Sequence, residues 1–217
     1  MNLDSANITL QRRDRVNRGA FIMGGLVGLA GVAFVLIPSL LLAFTPHYHG
    51  EIIEGAPPAE DFTLPAADGT SFRLSDYRSR IVMLLFGYTN CPDECPATLY
   101  QLKLMMSQLG DQAQDVVVVL VTIDPARDTP QRVKEYLGAF HPAFIGVVGN
   151  EKQLQPLLEE YDIQIYRPDA DEETTNAGIR HTSALYVIDQ RGRLRLRLHD
   201  GEAASNMVAD IQNILKQ

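Results

Sequence analysis

Cys91 and Cys95 are the only cysteines of the 217-residue chain, and they lie together in the segment FGYTNCPDECPATL (86–99). Residues four apart project from the same face of a helical turn, so the two sulfurs can converge on one metal ion or close one small disulfide. Pro96 suits the first helical position and predicts a helix start at the pair. The free amides and the dipole of a helix N-terminus favour thiolate over thiol. The alternative is a pair of buried structural cysteines or an inert disulfide, but the Pro, Asp and Glu residues between them are typical of an exposed turn.

A family resemblance is carried by two segments, RIVMLLFGYTNCPDECPATLYQLKLMMSQL (80–109) and VVVVLVTIDPARDTPQRVKEYL (116–137). Both resemble the Sco/SenC family of membrane-anchored copper-binding proteins, named for their role in cytochrome c oxidase assembly. In that family the metal site consists of the two Cys of a CPxxCP motif and one distant His before a late strand. Here CPDECP supplies Cys91 and Cys95, and IRHTSALYVID (179–189) supplies His181.

The resemblance implies a copper metallochaperone and not an enzyme. Such a protein would bind copper, as Cu(I) or Cu(II), through Cys91, Cys95 and His181. It would deliver the ion to the binuclear copper site of cytochrome c oxidase subunit II, and a periplasmic thiol reductant or another copper chaperone would be a further partner. Two alternatives stay open: a thiol-disulfide oxidoreductase that reduces an exported protein, and a copper or redox sensor.

The N-terminal part of the chain predicts a membrane anchor. Residues 19–44 hold no charged side chain over 26 positions, more than the roughly 20 needed to cross a bilayer as a helix. A cleaved signal peptide is the alternative, although its apolar core is usually about 7–15 residues. No Lys or Arg follows the span before Arg73, whereas four arginines precede it: Arg12, Arg13, Arg15 and Arg18. The positive-inside rule therefore predicts a cytoplasmic N-terminus and an exported main domain.

The charge balance argues against nucleic-acid binding. Residues 1–18 hold four Arg and two Asp, so the remaining chain carries 15 Lys and Arg against 25 Asp and Glu, a net charge of −10. An acidic domain repels nucleic acid. We expect a single-pass protein of a bacterial inner membrane with its C-terminal domain in the periplasm. That compartment is oxidising and favours a disulfide between the cysteines unless metal or a reductant intervenes.

The segment after the anchor, residues 45–60, is predicted to be a juxtamembrane linker, because it holds three prolines and no sustained hydrophobic period. His47 and His49 within it are candidates for auxiliary metal ligands or for parts of an amphipathic stretch beside the bilayer. The predicted organisation is thus a cytoplasmic N-terminus (1–18), the anchor, the linker and a folded domain (61–217).

The folded domain alternates strand and helix patterns. A hairpin is expected over 62–74 through Asp68 and Gly69. Strands are expected near 81–87, 116–123, 144–148, 184–188 and 193–198, and helices near 95–109, 129–140, 151–161 and 203–216. Continuous Val, Ile and Leu runs predict strands that are buried on both faces of a largely parallel sheet. This order, together with the family resemblance, predicts an α/β thioredoxin-like fold behind an N-terminal transmembrane helix.

The topology of such a sheet predicts where the candidate ligands meet. Cys91 and Cys95 follow strand 81–87, and His181 precedes strand 184–188. If the two strands are antiparallel, the end of one meets the beginning of the other. Two thiolates and one imidazole form a soft donor set that favours copper, especially Cu(I), while zinc would usually take a fourth ligand.

Four charged residues near the cysteines have two interpretations each. Asp93 and Glu94 are either acids that stabilise the helix start or groups that hydrogen-bond around a metal site and adjust its charge. Asp124 and Arg127 either hold their own loop as an ion pair or contribute to the site. His141 and His199 are expected to be surface residues, and Met105 and Met106 are expected to be core residues.

Overall fold

The computed structural model describes residue 34 and residues 46–166, 179–182 and 184–217. His47–Gln217 form a compact unit. Its strands are β1 (Glu51–Ile52), β2 (Thr63–Pro65), β3 (Ser71–Arg73), β4 (Ile81–Gly87), β5 (Val116–Thr122), β6 (Ile145–Val147), β7 (Ile165–Tyr166), β8 (Arg180–His181), β9 (Leu185–Ile188) and β10 (Leu194–Leu198). Its α-helices are α1 (Glu94–Leu109), α2 (Pro130–Gly138), α3 (Glu151–Glu160) and α4 (Ala204–Leu215).

The central sheet has the strand order β1-β10-β9-β4-β5-β6. β4, β5 and β6 are parallel, whereas β9 is antiparallel to β4, β10 to β9 and β1 to β10. One edge of this sheet, which we call the carboxyl edge, therefore holds the ends of β4, β5 and β10 and the beginnings of β9 and β1. The antiparallel arrangement of β4 and β9, on which the predicted convergence of the ligands depends, is confirmed.

The side chains of the central strands alternate between the two faces of the sheet and so divide the core into two layers. Every residue of β4 is buried, and successive side chains point to opposite faces of the sheet. Val82, Leu84 and Phe86 pack with α3 and the β2–β3 hairpin, whereas Ile81, Met83 and Leu85 pack with α1, α2 and α4. Met105 and Met106 belong to the second layer, as predicted. Helices thus cover both faces of the sheet, and the carboxyl edge stays open for loops.

The predicted elements are confirmed to within about two residues at each end. The hairpin of β2 and β3 and the hairpin of β9 and β10 form as expected. Three short strands, β1, β7 and β8, were not predicted, because two-residue strands carry no hydrophobic period.

The predicted linker boundary needs a correction. Residues 47–60 belong to the compact unit and pack along it, and the folded domain does not begin at residue 61. Glu51 and Ile52 pair with Arg197 and Leu196 of β10. The prolines that suggested a linker are compatible with this edge position, because an edge strand needs only some of its N–H groups.

The predicted transmembrane helix over residues 19–44 lies outside the described residues, apart from Phe34. Among the residues that are described, no helix combines the length and the apolar character needed to cross a bilayer.

Candidate metal centre

The two cysteines lie where β4 passes into α1 at the carboxyl edge. The Cys91 N–H donates to the Tyr88 carbonyl at 3.3 Å and closes a turn directly after β4. α1 begins at Glu94, so Cys95 and Pro96 are in its first turn. Pro96 is thus the third helical residue and not the first, a position that still needs no intrahelical N–H donor. The predicted placement of the pair at a helix start is confirmed.

The two thiols are free and in contact with each other. The Cys95 N–H donates to Cys91 Sγ at 3.4 Å. Cys91 is half-buried, whereas Cys95 is only 3% exposed. The hydrogen bond from the Cys95 thiol, helped by the N–H groups at the start of α1, lowers the pKa of Cys91 to about 5. The same hydrogen bond and burial raise the pKa of Cys95. At neutral pH the pair therefore consists of one thiolate and one thiol.

Gly87, the last residue of β4, makes room for the buried thiol. A Cβ atom at this position would lie 2.9 Å from Cys95 Sγ and 3.0 Å from Leu120 Cδ1. Real Cβ atoms essentially never approach a sulfur this closely, so a side chain here would displace Cys95 or the neighbouring strand. The glycine at the strand end is therefore part of the architecture of the centre.

His181 lies beside the aromatic ring of Tyr88, next to the cysteine turn. The centroids of the two rings are 6.2 Å apart in an edge-to-face arrangement. The Tyr88 hydroxyl donates to the Ile179 carbonyl at 3.0 Å and thereby ties the histidine segment to the end of β4. His181 Nδ1 lies 3.0 Å from the Thr182 carbonyl. Because a carbonyl only accepts, Nδ1 carries the proton, and the Nε2 lone pair is available for a metal.

The structure brings the predicted ligands to one region but does not assemble them into a closed site. Cys91 and Cys95 touch, and His181 is linked to them through Tyr88. Within the ranges that the structure describes, no group of three or more His, Cys, Asp or Glu side chains is close enough to hold a metal ion. The three-ligand site stays a prediction.

Asp200 is a neighbour of the centre that sequence reasoning missed. Both carboxylate oxygens are buried, and neither accepts a hydrogen bond from the described residues. Burial and the charge of Glu94 raise the pKa of Asp200 to about 6, with a smaller rise from Cys91, while His181 and His199 oppose the rise. Asp200 thus lies within electrostatic reach of both Cys91 and His181. The available signal was its position two residues after β10, at the carboxyl edge.

The loop after β5 is fixed by two buried carboxylates. Asp128 accepts hydrogen bonds from the Thr89 N–H at 3.1 Å and from the Thr122 hydroxyl at 2.6 Å. Asp124 pairs with Arg127 within the loop, which is the structural interpretation of that pair. Thr129 caps α2 by accepting a hydrogen bond from the Arg132 N–H. Asp128 therefore joins the ends of β4 and β5 behind the cysteine turn.

Of the remaining candidates, Asp93 and Glu94 lie beside the cysteines, whereas the other histidines lie in other parts of the domain. Asp93 stands at the N-cap of α1 without a side-chain capping bond, and Glu94 is the first residue of that helix. His199 is exposed, and the half-buried His141 accepts a hydrogen bond from the Ala143 N–H at 3.2 Å. His49 is bonded to Asp210 of α4.

Comparison with known proteins places this geometry in a family. Residues 51–216 match the model of the family described as SCO1/SenC. A SCO2-like protein of Rickettsia prowazekii (strain Madrid E) is 32% identical over 189 residues, which are 85% of this chain and 90% of that protein.

Solved structures agree with the sequence match. The solution structure of apo Sco1 from Thermus thermophilus has a TM-score of 0.68 at 32% identity and covers 79% of this chain and 99% of its own. The copper-bound structure of Bradyrhizobium japonicum ScoI has a TM-score of 0.65 at 26% identity and covers 74% of this chain and 100% of its own. The predicted thioredoxin-like α/β fold is confirmed by these likenesses.

Proposed function

The chain belongs to the SCO1/SenC family, and from this membership we propose that it is a copper metallochaperone of cytochrome c oxidase assembly. One observation carries the proposal: Cys91 and Cys95 form a contacting thiolate–thiol pair at the carboxyl edge, where the Nε2 lone pair of His181 is left free. The likeness to a structure solved with copper bound supports the choice of metal.

Each ligand has a distinct task in this proposal. Cys91 supplies a thiolate at neutral pH without first losing a proton. Cys95 keeps its proton until its sulfur binds, so copper uptake releases a proton. His181 completes a three-coordinate site by moving toward the cysteine turn. Two thiolates and one imidazole suit copper, above all Cu(I).

Delivery of the ion would proceed by ligand exchange with the thiolates of the recipient, a step that needs no general acid or base. The recipient that we propose is the binuclear copper site of cytochrome c oxidase subunit II. The anchor predicted over residues 19–44 would hold the domain on the periplasmic side of a bacterial inner membrane. There a thiol reductant or another copper chaperone would keep the cysteines ready for copper.

The same pair of cysteines supports a second candidate function, thiol-disulfide exchange. An accessible thiolate beside a buried thiol is the arrangement that attacks a disulfide and then resolves the mixed intermediate. Cys91 and Cys95 fit these two tasks. The spacing of three residues between them, instead of two, favours the copper function. A copper or redox sensor would use the same residues and would differ only in its partner.

A copper titration of the reduced chain, with insulin reduction measured alongside, tests the proposal. We expect one equivalent of Cu(I) bound with little reductase activity. Cys91→Ala and Cys95→Ala should each lower copper affinity by more than about 100-fold, because each removes a ligand and not merely an outer-shell partner. His181→Ala should keep Cu(I), which accepts low coordination numbers, and lose tight Cu(II) binding.

His141→Ala, which removes a histidine far from the centre, should leave both affinities unchanged. Near-native affinity in either cysteine variant would contradict the metal site. Efficient insulin reduction by the metal-free protein, undiminished in His181→Ala, would favour the oxidoreductase instead.

A further inference from the structure

A second group of histidines, His47 and His49, lies just before β1, the strand at one side of the central sheet. The segment His47–Gly50 is held against α4 by polar side chains. Asn213 Nδ2 donates to the His47 carbonyl at 3.0 Å, and Gln217 Nε2 donates to the Tyr48 hydroxyl at 2.6 Å. α4 and the residue Gln217 beyond its end thus hold this short segment in place.

Asp210 is the centre of this arrangement. Its side chain is 0% exposed and accepts hydrogen bonds from the N–H groups of His49 and Gly50, each at 2.9 Å. His49 Nδ1 lies 3.0 Å from the same carboxylate. A carboxylate oxygen accepts from a ring N–H, so in the neutral imidazole Nδ1 carries the proton and the Nε2 lone pair of His49 is the one that can bind a metal. A carboxylate behind an imidazole in this way is typical of metal-binding histidines, because it fixes the ring and strengthens the donor.

The ring of His47 is close enough to share a metal ion with His49. The two ring centroids are 5.5 Å apart, and the rings meet at 75°. A metal–nitrogen bond is about 2.0–2.1 Å long, so two nitrogens that bind the same ion are about 4 Å apart or less. Rotation of the two side chains can bring the ring nitrogens to this distance. His47 is exposed, and the His49 side chain keeps 34% of its surface accessible. An ion can therefore approach both rings from solvent.

We propose that His47 and His49 bind a Cu(II) ion, with Asp210 orienting His49 and water filling the other coordination positions. Imidazole suits copper, zinc and nickel, and among the divalent first-row ions Cu(II) binds nitrogen sites most tightly. The site uses none of the residues of the cysteine centre, so it goes beyond the proposed function and does not depend on it.

The sheet places this second site at the same carboxyl edge as the cysteines. Gly50 leads into β1, and a Cβ atom on it would lie 2.4 Å from Leu198 Cδ2 at the end of β10. β1 and β4 are three strand positions apart, which corresponds to about 14 Å along the sheet. The domain thus offers a nitrogen site for Cu(II) and a thiolate site for Cu(I) at the same edge.

The test uses the full-length chain carrying Cys91→Ala, Cys95→Ala and His181→Ala, which removes the cysteine centre. Cu(II) alone is titrated, and electron paramagnetic resonance counts the nitrogen ligands. We expect about one equivalent bound through two imidazole nitrogens. Adding His47→Ala should lower the Cu(II) affinity at least tenfold and leave one nitrogen ligand. The thermal unfolding midpoint should stay unchanged, because the His47 ring makes no hydrogen bond to Asp210. Adding His47→Ala and His49→Ala together should abolish binding.

His141→Ala in the same background is the matched control and should change neither the affinity nor the nitrogen count. Absence of Cu(II) binding by the triple variant would overturn the proposal, as would a two-nitrogen signal that survives loss of both histidines. The complementary chain, with the cysteine centre intact and His47 and His49 replaced by Ala, reports on the proposed function separately. Thiolate-to-copper absorption in that chain depends only on the cysteine centre.

Discussion

Cys91 and Cys95 differ in chemistry although they are four residues apart. The hydrogen bond from Cys95 stabilises the Cys91 thiolate, and burial keeps Cys95 protonated. The sulfur that faces solvent is therefore the charged one. For a metal-binding pair this means that an incoming cation meets a thiolate first.

This asymmetry predicts selective alkylation of the reduced, copper-free chain. Iodoacetamide should modify Cys91 with a midpoint near pH 5 and should leave Cys95 largely unmodified, as read by peptide mass spectrometry across pH 4 to 9. Cys95→Ala should raise the midpoint toward the ordinary value of 9.0, because it removes the thiol donor that contributes most. Cys95→Ser, which keeps a donor, should raise it less. Equal labelling of both cysteines in the native chain would contradict this assignment.

Asp200 is an unfavourable residue for the stability of the metal-free fold. Its oxygens are buried without a hydrogen bond from the described residues, and its pKa is raised from 3.8 to about 6. The folded state therefore holds the proton more tightly than the unfolded state. Below about pH 3.8 both states are protonated and there is no penalty, whereas the penalty grows as the pH rises through this window and is complete above about pH 6.

Asp200→Asn should remove this penalty. We expect the free energy of unfolding of the variant, relative to the native chain, to rise between pH 4 and pH 6 and then stay level. The gain should be about 1–2 kcal/mol, less than the full shift implies, because Asp200 is only half-buried. Urea unfolding of the copper-free proteins at several pH values measures it. Asp111→Asn, on the exposed turn after α1, is a control without such a trend.

At the level of secondary structure, the centre depends on how β4 ends and α1 begins. Gly87 leaves space for Cys95 Sγ, and the first turn of α1 directs its N–H groups at Cys91. Asp128 joins the same strand end to β5 through Thr89 and Thr122. A substitution at the end of β4 should therefore alter the reactivity of the two thiols.

Gly87→Ala tests this dependence. Its Cβ would overlap Cys95 Sγ and Leu120, and overpacking of this kind costs about 1–3 kcal/mol. We also expect a shifted pH midpoint of Cys91 alkylation, because the thiol of Cys95 must move. Gly138→Ala is the matched control: its Cβ would meet nothing within 4 Å, and the change should be neutral or stabilising by up to about 1 kcal/mol. Unchanged stability and reactivity in Gly87→Ala would show that the strand end is more plastic than this packing indicates.

For the whole domain, residues 47–60 are a structural part of the sheet. β1 pairs with the edge of β10, and Pro58 forms a β-bridge with Arg193. The Asp210 carboxylate is contacted by three nitrogen groups of this segment, two on His49 and one on Gly50. Without this segment the carboxylate of Asp210 would lose all of these partners. Each hydrogen bond to a charged group that is lost costs about 1.5–3 kcal/mol, and the apolar contacts of the segment are lost as well.

Two truncated chains therefore distinguish a domain that begins at His47 from a domain that begins at Asp61. A chain that begins at His47 should fold with full stability, whereas one that begins at Asp61 should lose about 3 kcal/mol or more of unfolding free energy, because it lacks three hydrogen bonds to Asp210 and the pairing of β1 with β10. Chemical denaturation of the two chains measures the difference. Equal stability of the two chains would mean that residues 47–60 are a linker after all.

The sequence by itself determined the central elements and identified the cysteine pair as the candidate metal-binding or redox residues. Apolar runs and turn residues are local signals, and they located β4, β5 and α1 because a buried strand and a helix start each depend on neighbouring residues. CPDECP with a late His gave the candidate ligands for the same reason: the types and spacings are written in the chain.

Only the tertiary structure decided which distant groups meet. Asp200 faces the centre because β10 ends at the carboxyl edge, and Asp210 is buried because a segment 160 residues away in sequence covers it. Neither contact can be predicted from the neighbouring residues, because the local sequence around an aspartate in a helix or loop does not show whether the side chain is exposed or buried. Burial and partners are set by how the strands are ordered in the sheet, and that order follows from the packing of the whole domain.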